Sequence, residues 1–217
     1  MGERAPETHV VSASNRAAAE LLTAWRAWPG GAMALTGPSG SGRTHLAHAW
    51  AAESGAWFAP ALANAEQAAE AFHGPAGGRI VVDDADGARN DMALIRLLDL
   101  ARWEGGAVLL IGRSDPARWP CATPDLTSRL AALPAARLEE PDETLLKVVL
   151  RRLCRERFIE MPDKTAFYLA RHMERSFARA HALVEELDRT VTHGARPITV
   201  AQAKAALVRI APEEAAP

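Results

Sequence analysis

The stretch Gly37-Pro38-Ser39-Gly40-Ser41-Gly42-Arg43-Thr44 decides how the rest of the chain is read. It matches the phosphate-loop spacing G-x-x-x-x-G-K-[ST] at every position but one, where the lysine is Arg43. The apolar run Ala32-Met33-Ala34-Leu35-Thr36 before it reads as a buried strand, and a helical pattern from His45 to Glu53 follows. In that setting the glycines let backbone N–H groups turn inward around phosphate oxygens, and the helix N-terminus adds its positive dipole end. Thr44 supplies the hydroxyl expected to reach Mg²⁺. The plain alternative is an ordinary Gly/Ser-rich turn, and both the spacing and the strand–loop–helix context weigh against it.

Working outward, Arg79-Ile80-Val81-Val82-Asp83-Asp84 is a β-branched run that closes on two acids. After a phosphate loop, a carboxylate at such a strand end orients Mg²⁺, here Asp83, and a second polarises an attacking water, here Asp84. Asp86 reads as a turn residue. Ala107-Val108-Leu109-Leu110-Ile111 is a further buried strand, Ala56-Trp57-Phe58-Ala59 a second and Ala136-Arg137-Leu138 a last one. Helices are expected at Arg16–Trp28, Asn64–Phe72, Asp91–Trp103 and Pro124–Leu133. Leu21, Leu22, Trp25 and Trp28 line the apolar side of the first of these, and Met92 with Leu94, Ile95, Leu97, Leu98 and Leu100 that of the third. Strands alternating with helices imply an α/β fold with a five-stranded parallel sheet covered on both faces. From Pro141 the pattern is helical only: Asp142–Arg157, Asp163–His172, Ser176–Thr192 and Thr199–Arg209. The expected organisation is a loose lead over 1–9, a nucleotide-binding domain over 10–140, a helical lid over 141–210 and a tail over 211–217.

Composition excludes several classes. The 217 residues carry 25 Lys and Arg against 27 Asp and Glu, a net charge of −2, so no basic excess argues for nucleic-acid binding through the bulk surface. Cys121 and Cys154 are the two cysteines, without metal-ligand spacing, which fits a reduced cytoplasmic setting. No apolar run approaches the ~18 residues of a membrane span, and residues 1–9 show no secretory core. The seven histidines form no ligand pair. Arg129 lies on the helix before the last strand, where spacing alone leaves both a surface arginine and an arginine finger open. Arg179, taken alone, reads as solvent-exposed.

Together these motifs resemble the AAA+ family, in the branch of the replication initiator DnaA and its shorter Hda-type regulators. Val10-Val11-Ser12-Ala13-Ser14-Asn15-Arg16 resembles the segment that lies along the adenine, implying nucleotide contacts from Val11 and Asn15. The loop, including His45-Leu46 after Thr44, resembles the DnaA loop and implies contacts from Pro38, Ser39, Gly40, Ser41, Gly42, Arg43, Thr44 and His45. Val81-Val82-Asp83-Asp84 resembles the DnaA acidic strand. Pro124-Asp125-Leu126-Thr127-Ser128-Arg129-Leu130 resembles the segment that carries the arginine finger, and Arg179 falls at the sensor 2 position. Sensor 1 aligns with Ser114, with Asp115 one residue on. The resemblance implies ADP or ATP with Mg²⁺ as cofactor, DnaA and the DNA polymerase III sliding clamp as partners, and stimulation of DnaA's ATPase through Arg129. A homo-oligomer is left open. The helix-turn-helix domain of DnaA would follow the lid, so sequence-specific DNA binding is not expected. Residues 1–8 lack the Gln-Leu-rich clamp peptide of Hda-type regulators. Two rivals remain: an independent ATPase of helicase-loader type, and a DnaA-binding adaptor that stimulates nothing. Arginine is longer, planar and bidentate where lysine is a point charge. Arg43 therefore implies retained nucleotide binding with slow intrinsic turnover and ADP as the resting ligand.

Overall fold

The computed structural model describes residues 10–59, 62–87, 90–190 and 197–210. The expected loose lead, the tail and the clamp-peptide position lie outside them, as do the last two residues of the helix expected to reach Thr192. After Glu139 the chain divides into two compact units, and Ser12–Ser14 group with the second.

The first unit is a parallel sheet of β1 (Ala32–Thr36), β2 (Trp57–Phe58), β3 (Arg79–Val82), β4 (Ala107–Gly112) and β5 (Ala135–Arg137), in the order β2-β3-β4-β1-β5. All four pairings are parallel, with Ala34 opposite Leu110 and Val82 opposite Leu110 across β4. Alternating side chains point to opposite faces of a strand, and both faces here are covered. Ala32, Ala34, Ile80, Val82, Val108 and Leu110 pack under α3 (Ala65–Phe72), α4 (Asp91–Leu100) and α5 (Pro124–Ala131). Met33, Leu35, Val81, Leu109 and Ile111 pack under α1 (Arg16–Thr23) and α2 (Arg43–Ser54). That double burial is why β1, β3 and β4 are nearly continuous apolar runs.

Several expectations are corrected. The first helix ends at Thr23 rather than Trp28, and tight turns at Trp25–Ala27 and Pro29–Gly31 follow. Trp28 leaves the helical path to stack on Trp50 at 5.2 Å, and its Nε1 donates to the Leu21 carbonyl at 2.8 Å. Leu21, inside α1, is exposed rather than on the apolar side. Helix α4 runs to Leu100, and the expected helical path continues past Trp103 as a π-helix over Ala101–Gly105, with Trp103 exposed. Met92, in the first turn of α4, is also exposed rather than buried. Finally, β3 ends at Val82, so Asp83 and Asp84 stand in the turn after the strand.

The second unit is helical: α6 (Glu143–Glu156), α7 (Asp163–His172), α8 (Phe177–Thr190) and α9 (Val200–Ile210) enclose a core of Leu146, Leu150, Leu153, Leu169, Leu183 and Leu187. Asp142 caps α6, accepting from the Leu145 N–H at 2.8 Å and the Ser14 N–H at 3.3 Å, which draws residues 12–14 into this unit. Among the described residues no helix is long and apolar enough to cross a membrane.

Candidate nucleotide site

The loop between β1 and α2 has the backbone its glycines were expected to permit. Gly37, Gly40 and Gly42 all adopt positive φ, at 153°, 77° and 93°. Gly37 is pressed against the rest of the sheet: a Cβ there would lie 2.6 Å from the Leu138 carbonyl oxygen and 2.9 Å from Ser41 Oγ. Helix α2 starts at Arg43 behind Gly42, with no side-chain cap on its first N–H groups. Those groups are left to an external acceptor or to water. Two side-chain donors inside the loop share this state. Ser41 Oγ and Arg43 Nη1 are buried and make no hydrogen bond among the described residues. Trp50 Nε1 and Arg79 Nε share that state elsewhere in this unit, but the loop holds two such donors two positions apart beside the uncapped N–H groups of α2, and that concentration calls for an explanation. An anion seated in the loop provides one.

Burial pushes the Arg43 guanidinium below the ordinary arginine range. Asp86 opposes that shift most strongly, Arg113 adds to it, and Asp83 and Asp84 oppose it more weakly. The loop thus faces three carboxylates and a second arginine from the ends of β3 and β4. Thr44 Oγ1 donates to Asp83 Oδ2 at 3.1 Å, joining the loop helix to the acidic turn across the end of β4. Asp84 sits at φ 49°, its N–H donates to Asp83 Oδ1 at 2.9 Å, and its carbonyl accepts from the Gly87 N–H at 2.9 Å. Asp86, read from sequence as a turn residue, accepts from the Arg113 N–H at 2.6 Å and so ties the acidic turn to the end of β4. A third acid close behind an acid pair was the signal available for it.

A magnesium ion prefers a few carboxylate or hydroxyl oxygens together with phosphate oxygens and waters. The Thr44 hydroxyl and Asp83 carboxylate match that donor chemistry. Among the described residues no group of three or more His, Cys, Asp or Glu side chains is placed to hold a metal by protein ligands alone.

The other candidates are dispersed. Ser39 is exposed, while Pro38, Gly40, Gly42 and His45 are half-buried in the loop. Val11 is exposed, and buried Asn15 donates through Nδ2 to the Val10 carbonyl at 2.9 Å. Ser114 gives its carbonyl to Trp119 Nε1 at 2.8 Å, and Asp115 accepts from the Ala117 N–H at 3.0 Å as a turn cap. Both follow β4, where Gly112 lets the Trp119 ring approach a position in which a Cβ would be 2.4 Å away. Arg129, in α5, donates from Nη1 to Asp99 at 2.5 Å and from Nε to Asp125 at 3.0 Å, which holds its charge firmly. Arg179, in the first turn of α8, is engaged within the helical unit by Glu174 at 3.0 Å and the Ile210 carbonyl at 2.5 Å.

No family model matches the chain, and no curated protein sequence matches it. Among solved structures it superposes on domain III of the Thermotoga maritima replication initiation protein DnaA with a TM-score of 0.72 at 17% identity, covering 94% of this chain and 95% of that one. The chain has the AAA+ fold. A further AAA+ likeness is to AMPPCP-bound DnaA from Aquifex aeolicus, with a TM-score of 0.64 at 16% identity over 85% of this chain and 64% of that one. The Thermotoga maritima RuvB branch migration motor gives a TM-score of 0.66 at 17% identity over 89% of this chain and 69% of that one. At such identities the likeness is one of fold, and the chain spans about two-thirds of the length of the longer AAA+ proteins.

Proposed function

We propose that this AAA+ chain binds an adenine nucleotide with Mg²⁺ in the loop of residues 37–44 and serves as an Hda-type regulator of replication initiation. In this reading it pairs with ATP-bound DnaA, together with the DNA-loaded sliding clamp, and presents Arg129 to DnaA's nucleotide. The observation that carries the nucleotide site is the pair of buried donors in the phosphate loop, Ser41 Oγ and Arg43 Nη1, that make no hydrogen bond among the described residues; the regulatory role rests on the resemblance of residues 124–130 to the finger segment. The AMPPCP held by a DnaA of the same fold supports the same ligand class.

Within the chain, the loop N–H groups and Ser41 hold phosphate oxygens, and Arg43 adds a fork of N–H donors. The metal, when bound, neutralises phosphate charge; Thr44 and Asp83 are the residues that hold it. Asp84 stands next to Asp83 to orient a water. Arg43 is desolvated and hemmed by carboxylates, which suits a tight holder of diphosphate more than a rapid hydrolase. Arg129 is one-third exposed and securely charged, the state a group needs in order to stabilise charge on a phosphoryl in transfer.

The test is hydrolysis of DnaA-bound ATP on clamp-loaded DNA, with and without this chain. Arg129→Ala is expected to lower the stimulated rate by about 10³-fold, the lower end for fingers acting in trans. A variant as active as the parent removes the finger assignment. Rapid ATP turnover by the chain alone supports the helicase-loader reading instead.

A further inference from the structure

Arg129 is held by two carboxylates on different helices. Nη1 meets Asp99 of α4 at 2.5 Å, and Nε meets Asp125, one turn earlier on α5, at 3.0 Å. Among the described residues Nη2 makes no hydrogen bond.

The helix that carries Arg129 is itself fastened to α4 at its other end. Asp91 Oδ2 accepts from the Ala122 N–H at 2.8 Å, the Thr123 N–H at 2.7 Å and Thr123 Oγ1 at 2.9 Å. Thr123 in turn caps α5 through the Leu126 N–H. Between the two fastenings, Leu126 and Leu130 are buried in the cluster that includes Leu94, Leu97 and Leu98 of α4. Asp91 and Asp99 lie about 12 Å apart along α4 at the usual helical rise. They grip α5 at its cap and at Arg129. The Asp99 contact adds something packing does not: it fixes the guanidinium.

We infer that Asp99 and Asp125 are positioning residues for Arg129, clamping Nε and Nη1 so that the Nη2 edge is the one offered to the partner's nucleotide. The inference rests on the trans-acting role of Arg129 proposed above. Its physical basis is preorganisation. A free arginine carries about 2 kcal/mol of rotamer entropy. Ordering it only when the partner arrives subtracts that from transition-state stabilisation, and a displacement of about 1 Å at a reacting group costs up to ~10²-fold in rate. A guanidinium already locked by two acceptors avoids both losses.

The experiment measures DnaA-ATP hydrolysis on clamp-loaded DNA at increasing concentrations of the full chain, separating maximal stimulation from half-maximal concentration. Asp99→Ala is expected to lower maximal stimulation by about tenfold, well inside the ~10²-fold limit for misplacement, with half-maximal concentration unchanged. Asp99→Glu is expected to recover part of the loss, and Asp125→Ala to act in the same direction. In an Arg129→Ala background, Asp99→Ala is expected to change nothing further. Asp125 is exposed, so its variant remains informative if the Asp99 variant fails to fold.

Asp99→Ala with parental or higher stimulation, while Arg129→Ala is inactive, overturns the positioning role alone, since the carboxylates are then idle or a sheath. A further loss from Asp99→Ala on top of Arg129→Ala overturns it too, because the aspartate would then act through the fold. Parental activity in Arg129→Ala, or no stimulation by the parent chain, overturns the proposed function itself.

Discussion

Replacing Arg43 by alanine separates a phosphate-binding role from a structural one. In the free chain Arg43 is a liability: Nη1 is buried and unpaired among the described residues, and burial lowers its affinity for a proton. The charged form is therefore favoured less in the fold than in water, and Asp86 offsets the loss only in part. Truncation is expected to leave the stability of the nucleotide-free chain within about 1 kcal/mol of the parent, because the cost of an unsatisfied donor disappears with the side chain. Nucleotide binding responds differently. A hydrogen bond to a charged group contributes about 1.5–3 kcal/mol, so Kd is expected to rise roughly 10- to 150-fold. At ADP and Mg²⁺ concentrations about 100 times the parental Kd, ligand stabilises the parent by about 2.7 kcal/mol. For a chain of this size that is a rise in melting temperature of roughly 5–10 °C. With Kd thirtyfold weaker the same ligand contributes only about 0.9 kcal/mol, a shift of roughly 2–3 °C. The assay is thermal unfolding of parent, Arg43→Ala and Arg43→Lys, with and without ADP. Arg43→Lys is expected to keep most of the shift, since an ammonium also reaches phosphate. An undiminished ADP shift in Arg43→Ala, or a nucleotide-free chain destabilised by more than about 2 kcal/mol, refutes the reasoning and makes Arg43 a structural partner of Asp86.

Two further outcomes follow from the same geometry. Gly37→Ala would bring a Cβ within 2.6 Å of the Leu138 carbonyl oxygen, which is fixed because the Leu138 N–H is bonded to Thr36 O at 2.7 Å; urea unfolding is expected to show a loss of about 3 kcal/mol, together with loss of the ADP shift. Cys154 is buried and its thiol is pushed up to about 12, so at pH 8 iodoacetamide is expected to modify half-buried Cys121 first and to reach Cys154 only on unfolding, as read by mass spectrometry.

Much of the fold was legible because burial on both sides leaves a local mark. The runs Ala32–Thr36, Arg79–Val82 and Ala107–Gly112 announce central strands by being apolar at successive positions. Glycines at 37, 40 and 42 announce the loop by spacing. Helix ends and exposure were less legible, because tertiary partners set them. Trp28 lies within reach of a continued α1, yet it abandons the helix for Trp50 on α2. Met92 and Leu21 suit a buried stripe by periodicity, but neither helix turns that side to the sheet.

The same division holds at the site. The sheet-forming runs, the order of strands and helices, the positive-φ loop and the acid pair behind β3 can be read from the chain alone, because each depends on neighbouring residues or fixed spacing. Packing alone brings Asp86 to Arg43 and Arg113, since β4 must lie beside β3 for that to occur. Packing likewise brings Asp99, thirty positions earlier in the chain, to Arg129. Such pairs leave no local periodicity or spacing; they exist because two elements pack against each other.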